Sequence, residues 1–137
     1  MGFVIDTCIW VDVERGKISP MDVEVFTGQD PVFITPATIA ELTVGMEMSK
    51  DETIRRKRQA ALNRLKKKPM LIIDEITGDI FGRIAHGLLI SSKSHKHRIN
   101  DIWIASLTIQ HDFKLLSRNV RDFSDIEGLQ LVEFKTF

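Results

Sequence analysis

The stretch that most constrains this chain is its start, Phe3-Val4-Ile5-Asp6-Thr7. Three consecutive apolar residues, two of them β-branched, read as a strand buried on both faces. The run stops on a carboxylate. Apolar residues then return at Ile9, Trp10 and Val13, the spacing of a short helix. The pattern predicts a central parallel strand that hands directly to a helix, with Asp6 at the carboxyl edge of the sheet. Open α/β sheets bind their ligands at that edge. An Asp at such a junction is also a preferred helix N-cap, and taken by itself Asp6 reads as a cap.

The rest of the chain repeats the alternation. Ser19-Pro20-Met21-Asp22 opens a second helix, with a Ser cap, Pro at the first helical position and an acid three residues on. Gly28-Gln29-Asp30-Pro31 closes it, and Val32-Phe33-Ile34 reads as the second strand. A helix follows over residues 36–50 and another, opened by Asp51-Glu52, over residues 51–68. Met70-Leu71-Ile72-Ile73 reads as the third strand, and a helix capped by Thr77 runs to about Ser91. Gly78, Gly82 and Gly87 weaken that helix and suggest close packing against it. After the basic loop of residues 91–98 comes a helix from Asn100-Asp101 to His111. It is apolar almost all round and therefore buried on several sides. Phe113-Lys114-Leu115-Leu116 is the fourth strand and residues 129–134 the fifth, whose alternation suits a sheet edge. The expectation is one domain over residues 1–137, a three-layer α/β/α sandwich on a mostly parallel five-stranded sheet.

Composition narrows the class. No apolar run approaches the ~20 residues of a membrane span, and the N-terminus has no basic leader, so a cytoplasmic protein is expected. The single cysteine, Cys8, rules out an internal disulfide framework and a cysteine-based zinc site. A small buried hydrophobe is its ordinary role. Net charge is zero, but residues 1–52 carry −7 and residues 53–68 carry +8. Zero is thus a cancellation that says little about partners.

The acids are placed more tellingly than they are counted. Asp6 follows the first strand, and Glu41 lies in the first turns of the helix after the second. Asp101 opens the buried helix, and Asp122 follows the fourth strand with Asn119 three residues before it. Each has a local explanation. Thr38 and Glu41 fit a capping box, Asp101 complements a helix dipole, and Asn119 and Asp122 suit a turn. In a doubly wound sheet all four acids can face one carboxyl-end crevice, where they would repel and raise one another's pKa. A divalent cation removes that penalty, and hard oxygen donors suit Mg²⁺ or Mn²⁺. Such sites polarise a phosphodiester and help ionise water.

Four segments now carry a resemblance: residues 4–10, Thr35-Pro36-Ala37-Thr38-Ile39-Ala40-Glu41-Leu42, residues 100–105, and Leu116-Ser117-Arg118-Asn119-Val120-Arg121-Asp122-Phe123. In this order and spacing the sequence resembles a PIN-domain ribonuclease, and within that superfamily a VapC-type toxin of a toxin–antitoxin pair. The resemblance implies Mg²⁺- or Mn²⁺-dependent cleavage of single-stranded RNA, with Asp6, Glu41, Asp101 and Asp122 as ligands. Asn119, Thr7 and Ser117 match accessory positions that hold water or support the carboxylates. Asp101 is followed by Ile-Trp where the family more often has smaller residues, and Ser117 stands where Thr is common. The resemblance further implies a homodimer and a small antitoxin whose tail crosses the active-site groove. Trp10, Val13, Val25, Phe26, Met46 and Met48 are candidate groove residues that core packing explains equally well.

RNA approaching an acidic pocket needs positive surface. Lys93, His95, Lys96, His97 and Arg98, just before Asp101, are the preferred phosphate contacts. Arg118 and Arg121 either contact RNA or pair with Asp125 and Glu127, and the basic helix after residue 52 either contributes or is a solvated face. The His95–His97 pair lacks the further ligands a zinc site needs. A haloacid-dehalogenase phosphatase wants a second Asp where Cys8 stands, and a receiver domain wants more acids near the first strand. The remaining alternatives are a non-toxin PIN-fold RNA-processing nuclease and a non-catalytic RNA- or protein-binding module.

Overall fold

The computed structural model describes residues 1–91, 93, 96 and 98–135. Four strands, β1 (Phe3–Ile5), β2 (Val32–Phe33), β3 (Lys114–Ser117) and β4 (Gln130–Glu133), form one all-parallel sheet in the order β2-β1-β3-β4. Six helices connect them: α1 (Thr7–Glu14), α2 (Pro20–Thr27), α3 (Pro36–Glu47), α4 (Glu52–Leu65), α5 (Glu75–Ile90) and α6 (Ile99–Gln110). β1 is central and buried throughout, and β4 is an edge, half exposed along its length. Strand alternation divides the core in two. Val4 and Leu115 point into one cluster with Ala37 of α3 and Ile104, Ala105 and Leu107 of α6. Phe3, Ile5 and Leu116 point into the other, with Ile9 of α1 and Val23 of α2. Helices therefore cover both faces, as the continuous apolar strands require.

The expected five-stranded sheet has four strands. Residues 70–73 contribute one parallel bridge, Ile34 to Met70, bracketed by Ile34 N–H donating to the Pro69 carbonyl (3.0 Å) and Leu71 N–H donating to that of Ile34 (2.9 Å). Only Leu71 of the apolar run is buried, and Ile72 is 73% exposed. The physical reason lies just downstream. Asp74, not Thr77, is the N-cap of α5, and its carboxylate takes the N–H groups of Ile76 and Thr77 while the Thr77 hydroxyl accepts from the Asp74 N–H. A complete capping box starts the helix three residues earlier than expected and leaves the strand no room to extend. The α5 glycines are not close-packing sites either, since a Cβ on Gly78, Gly82 or Gly87 would meet nothing within 4 Å.

Helix ends elsewhere follow their signals. Ser19 and Asp22 form the capping box of α2, and Asp51 caps α4. Two of the basic residues of α4 fasten it to α3: Arg55 pairs with Glu47 at 2.9 Å, and Arg58 donates to the Gly45 carbonyl at 2.9 Å. Among the described residues no helix is long and apolar enough to cross a membrane.

Candidate active site

The carboxyl ends of β1 and β3 lie side by side, because Ile5 pairs with Leu116 and Asp6 N–H donates to the Leu116 carbonyl at 2.9 Å. That register sets Asp6 beside Ser117. Asp6 is 5% exposed and both of its oxygens are engaged. Oδ1 accepts the Thr7 N–H at 2.8 Å, which makes Asp6 the N-cap of α1, and Oδ2 accepts the Ser117 hydroxyl at 2.7 Å. Cap and site residue are therefore one group, not rival explanations. Ser117 Oγ also receives the Asn119 N–H at 3.0 Å, tying the chain after β3 to the same carboxylate.

Glu41 is held from a different direction. The Thr7 hydroxyl lies 3.1 Å from Glu41 Oε1 and 3.0 Å from the Thr38 hydroxyl. Having one proton, Thr7 donates to the carboxylate and accepts from Thr38. Thr38 is fully buried, and its N–H donates to the Thr35 hydroxyl, so Thr35 is the N-cap of α3. The Thr38–Glu41 capping box is thus absent, and Glu41 turns toward α1 instead. Its position two turns into a helix, with a buried threonine on the preceding turn, is what frees it.

Asp101 is the third residue of α6, a helix whose N-cap, Arg98, makes no side-chain cap bond. Asp122 ends a short 3₁₀ turn, Val120–Asp122, after β3. A fork joins these two segments. Arg98 Nη1 and Nη2 donate to the two Asp125 oxygens at 2.9 and 2.7 Å, and Nη2 also donates to the Asp122 carbonyl. Lys93 Nζ lies 3.3 Å from the same Asp125 carboxylate.

Asp6, Thr7, Glu41, Asp101, Asn119 and Asp122 line one open cavity of about 400 Å³, together with Cys8, Asp12, Arg15, Lys17 and Arg118. Its electrostatics are those of crowded anions. Burial, and to a smaller extent the neighbouring Asp122, raise the Asp6 pKa against the lowering effect of its hydrogen bonds. Glu41 is raised by burial and by Asp6. Asp101 is pushed up to about 7, first by burial and then by the charges of Asp6, Asp122 and Glu41. The Cys8 thiol, pushed up to about 11 by burial and Asp6, donates weakly to Asp6 Oδ2 at 3.4 Å. It is a half-buried member of the cavity wall, and not the purely structural hydrophobe expected.

The donor chemistry fits a hard divalent ion: carboxylate oxygens that repel one another, and a thiol kept protonated and so unable to compete as a soft ligand. Among the described residues no three His, Cys, Asp or Glu side chains are grouped closely enough to hold a metal ion between them. An open cavity of this kind suits Mg²⁺, which keeps several waters and takes one or two carboxylates directly.

The cations are arranged otherwise than the sequence suggests. Arg98 and Lys93 are bound to Asp125, and Arg118 pairs with Asp12, a carboxylate on α1 that is 3% exposed. Arg121 is exposed and outside the cavity lining. Lys96 is exposed, and His95 and His97 lie outside the described residues. Sequence reasoning missed Asp12, Arg15 and Lys17, read Thr38 only as half of a capping box, and gave Asp125 to Arg118 or Arg121 where the structure gives it to Arg98 and Lys93. Asp12 left a signal, an acid on the apolar side of α1 next to Ile9, because a buried carboxylate there demands a partner.

A second cavity, about 460 Å³ and largely apolar, opens between α1, α2 and α4. Ile5, Trp10, Val13, Val23 and Leu65 line it, with Glu14, Glu24, Arg64 and Lys68 among its polar residues. The Trp10 indole N–H is buried there with no hydrogen-bond partner among the described residues. Of the other candidate groove residues, Met46 is in the core, Phe26 packs on Phe134 and its neighbours, and Val25 and Met48 are exposed.

Comparison with known proteins agrees in extent with this geometry. A model of the PIN domain matches residues 3–129. Ribonuclease VapC1 of Rickettsia felis is 31% identical over 139 aligned residues, covering 96% of this chain and 96% of that protein. Ribonuclease VapC of Rickettsia bellii is 29% identical, again with 96% of each chain covered. The crystal structure of VapBC2 from Rickettsia felis bound to a DNA fragment from their promoter shares the fold, with a TM-score of 0.84 at 21% identity, covering 98% of this chain and all (100%) of that one. The matched span contains Asp6, Glu41, Asp101 and Asp122, and the chain belongs to the PIN-domain family, in its VapC branch.

Proposed function

We propose that the protein is a Mg²⁺- or Mn²⁺-dependent endoribonuclease, the toxin of a toxin–antitoxin pair, that cleaves single-stranded RNA. The observation that carries this reading is the shared cavity of Asp6, Glu41, Asp101 and Asp122, with Asp101 raised to about 7 by burial and its acidic neighbours. A divalent cation in the cavity would relieve that repulsion. In this reading Asp6, Glu41, Asp101 and Asp122 hold the ion, directly or through water. The bound ion supplies Lewis-acid polarisation of the phosphodiester and eases ionisation of water. Ser117 and Thr7 fix the Asp6 and Glu41 oxygens, so that little reorganisation is needed on binding. Asn119, on the cavity wall, orients water or phosphate oxygen. Water attacks phosphorus in line and gives its proton to one of the carboxylates that would reach the ion only through water, while the P–O bond to the opposite ribose oxygen breaks and that oxygen leaves with a proton from solvent.

Asp6→Asn is the first test. Asn is as good an N-cap as Asp, so α1 keeps its start while the anionic ligand is lost. Mg²⁺-dependent RNA cleavage is expected to vanish with the fold intact, and full activity in that variant would refute the assignment. Mn²⁺ binding by the wild type separates this reading from a non-catalytic binding module, which would bind none.

The toxin part of the reading is supported by the apolar cavity between α1, α2 and α4, whose unpartnered Trp10 N–H and mixed charges suit a peptide segment of an antitoxin. VapBC-5 of Mycobacterium tuberculosis, whose structure shares the fold with a TM-score of 0.75 at 25% identity, is a member of the VapBC family of toxin–antitoxin systems. Co-purification with the product of an adjacent short reading frame, lost in Trp10→Ala or Val13→Asp, tests it. A homodimer and a cytoplasmic location complete the reading. Sedimentation and fractionation read them directly.

A further inference from the structure

Four carboxylates and an RNA strand have the same sign, so the strand needs cations beside the cavity as well as an ion within it. On the α6 side the available charge is committed: Arg98 forks onto Asp125, and Lys93 ends on the same carboxylate. The α1 side differs. Arg15 and Lys17, at the carboxyl end of α1, and Arg118, directly after β3, line the same cavity as the four acids. Arg15 and Lys17 are exposed and make no side-chain hydrogen bond or ion pair among the described residues. Arg118 is pinned by the buried Asp12, yet its own side chain is 49% exposed. A buried carboxylate that grips an exposed guanidinium fixes where it points. Since a guanidinium has five N–H donors, that grip leaves several for a phosphate.

We propose that Arg15, Lys17 and Arg118 form the phosphate-binding lip of this site. They take the backbone phosphates of single-stranded RNA that flank the reacting one, with Asp12 as the positioning residue for Arg118. The inference rests on the ribonuclease reading and adds a direction to it: the strand leaves the cavity over the end of α1, not past the loop before α6.

The test is fluorescence anisotropy with a short, cleavage-resistant, phosphorothioate-linked single-stranded oligoribonucleotide, titrated at several salt concentrations, alongside Mn²⁺ binding followed by electron paramagnetic resonance. Removing two phosphate contacts in Arg15→Ala/Lys17→Ala is expected to flatten the logarithmic salt slope by about 1.4 and to weaken binding on the order of tenfold. Mn²⁺ affinity is expected to stay or tighten, because two cations near the carboxylates are gone. Asp12→Asn is expected to weaken the oligonucleotide with Arg118 intact and to add no further loss on top of Arg118→Ala, a non-additivity that general destabilisation does not produce. An unchanged salt slope in Arg15→Ala/Lys17→Ala, with the slope carried instead by Lys93→Ala/Lys96→Ala, overturns the lip and leaves the nuclease reading standing. A wild type that binds no single-stranded RNA sinks both.

Discussion

Asp6 and Glu41 are held by hydroxyls that the sheet and two helices bury, whereas the segments that carry Asp101 and Asp122 are joined by an ion-pair fork near the surface. On the first wall Ser117, Thr7 and Thr38 are all nearly inaccessible, and their hydrogen bonds run 2.7–3.1 Å. On the second, Arg98 and Asp125 retain about a fifth of their side-chain surface. Hydroxyl bonds in a closed interior do not respond to salt, and ion pairs near solvent do. One wall is therefore insensitive to salt. The other is tied by a clamp whose strength the medium sets.

Losing a carboxylate from the first wall is expected to have the largest effect. Asp6→Asn forfeits several kcal/mol of transition-state stabilisation, on the order of a thousandfold in cleavage rate, read in a gel assay against a labelled RNA. Next comes its support. Ser117→Ala leaves Asp6 Oδ2 without its hydroxyl donor and is expected to weaken Mn²⁺ binding by roughly 10–100-fold, with no change in salt dependence. Arg98→Lys keeps the charge but loses the fork. It is expected to weaken Mn²⁺ binding up to about tenfold, and the wild type should approach the variant as salt rises. If Ser117→Ala proves the salt-sensitive one, the contrast between the walls is wrong.

A further effect is on stability, and its sign follows from Asp101. With a folded pKa near 7 against an ordinary value of 3.8, the folded, metal-free protein binds more protons than the unfolded chain between those limits. Stability then falls as pH rises from about 4 to about 7. Asp6 and Glu41, also raised, act in the same direction. Thermal melts across this window should show the decline, Asp101→Asn should flatten it, and added Mg²⁺ should offset it.

Much of the site was legible because its signals are local. A strand that ends on Asp6, the caps at Ser19 and Asp51, and an α6 apolar all round each follow from side chains within a few residues. What misled was also local. Residues 70–73 are as apolar as a strand, but the Asp74–Thr77 capping box takes the backbone away after a single bridge. The pattern Thr38-x-x-Glu41 matches a capping box, yet Thr7, thirty-four residues upstream of Glu41, offers the carboxylate a better donor. Charge was the least legible. Arg98 and Arg15 look alike in sequence, and only the folded chain gives one a carboxylate partner and leaves the other open.

Sequence by itself determined the parallel α/β order, the central strand that ends on Asp6 and the candidate acids, since period, caps and breakers act over single turns. Tertiary structure alone decided the four-stranded sheet, the hydroxyl that grips each buried carboxylate and the cations left for a ligand. Those depend on register and on which segments meet, and Coulomb and hydrogen-bond energies are set by distances in space that spacing along the chain does not encode.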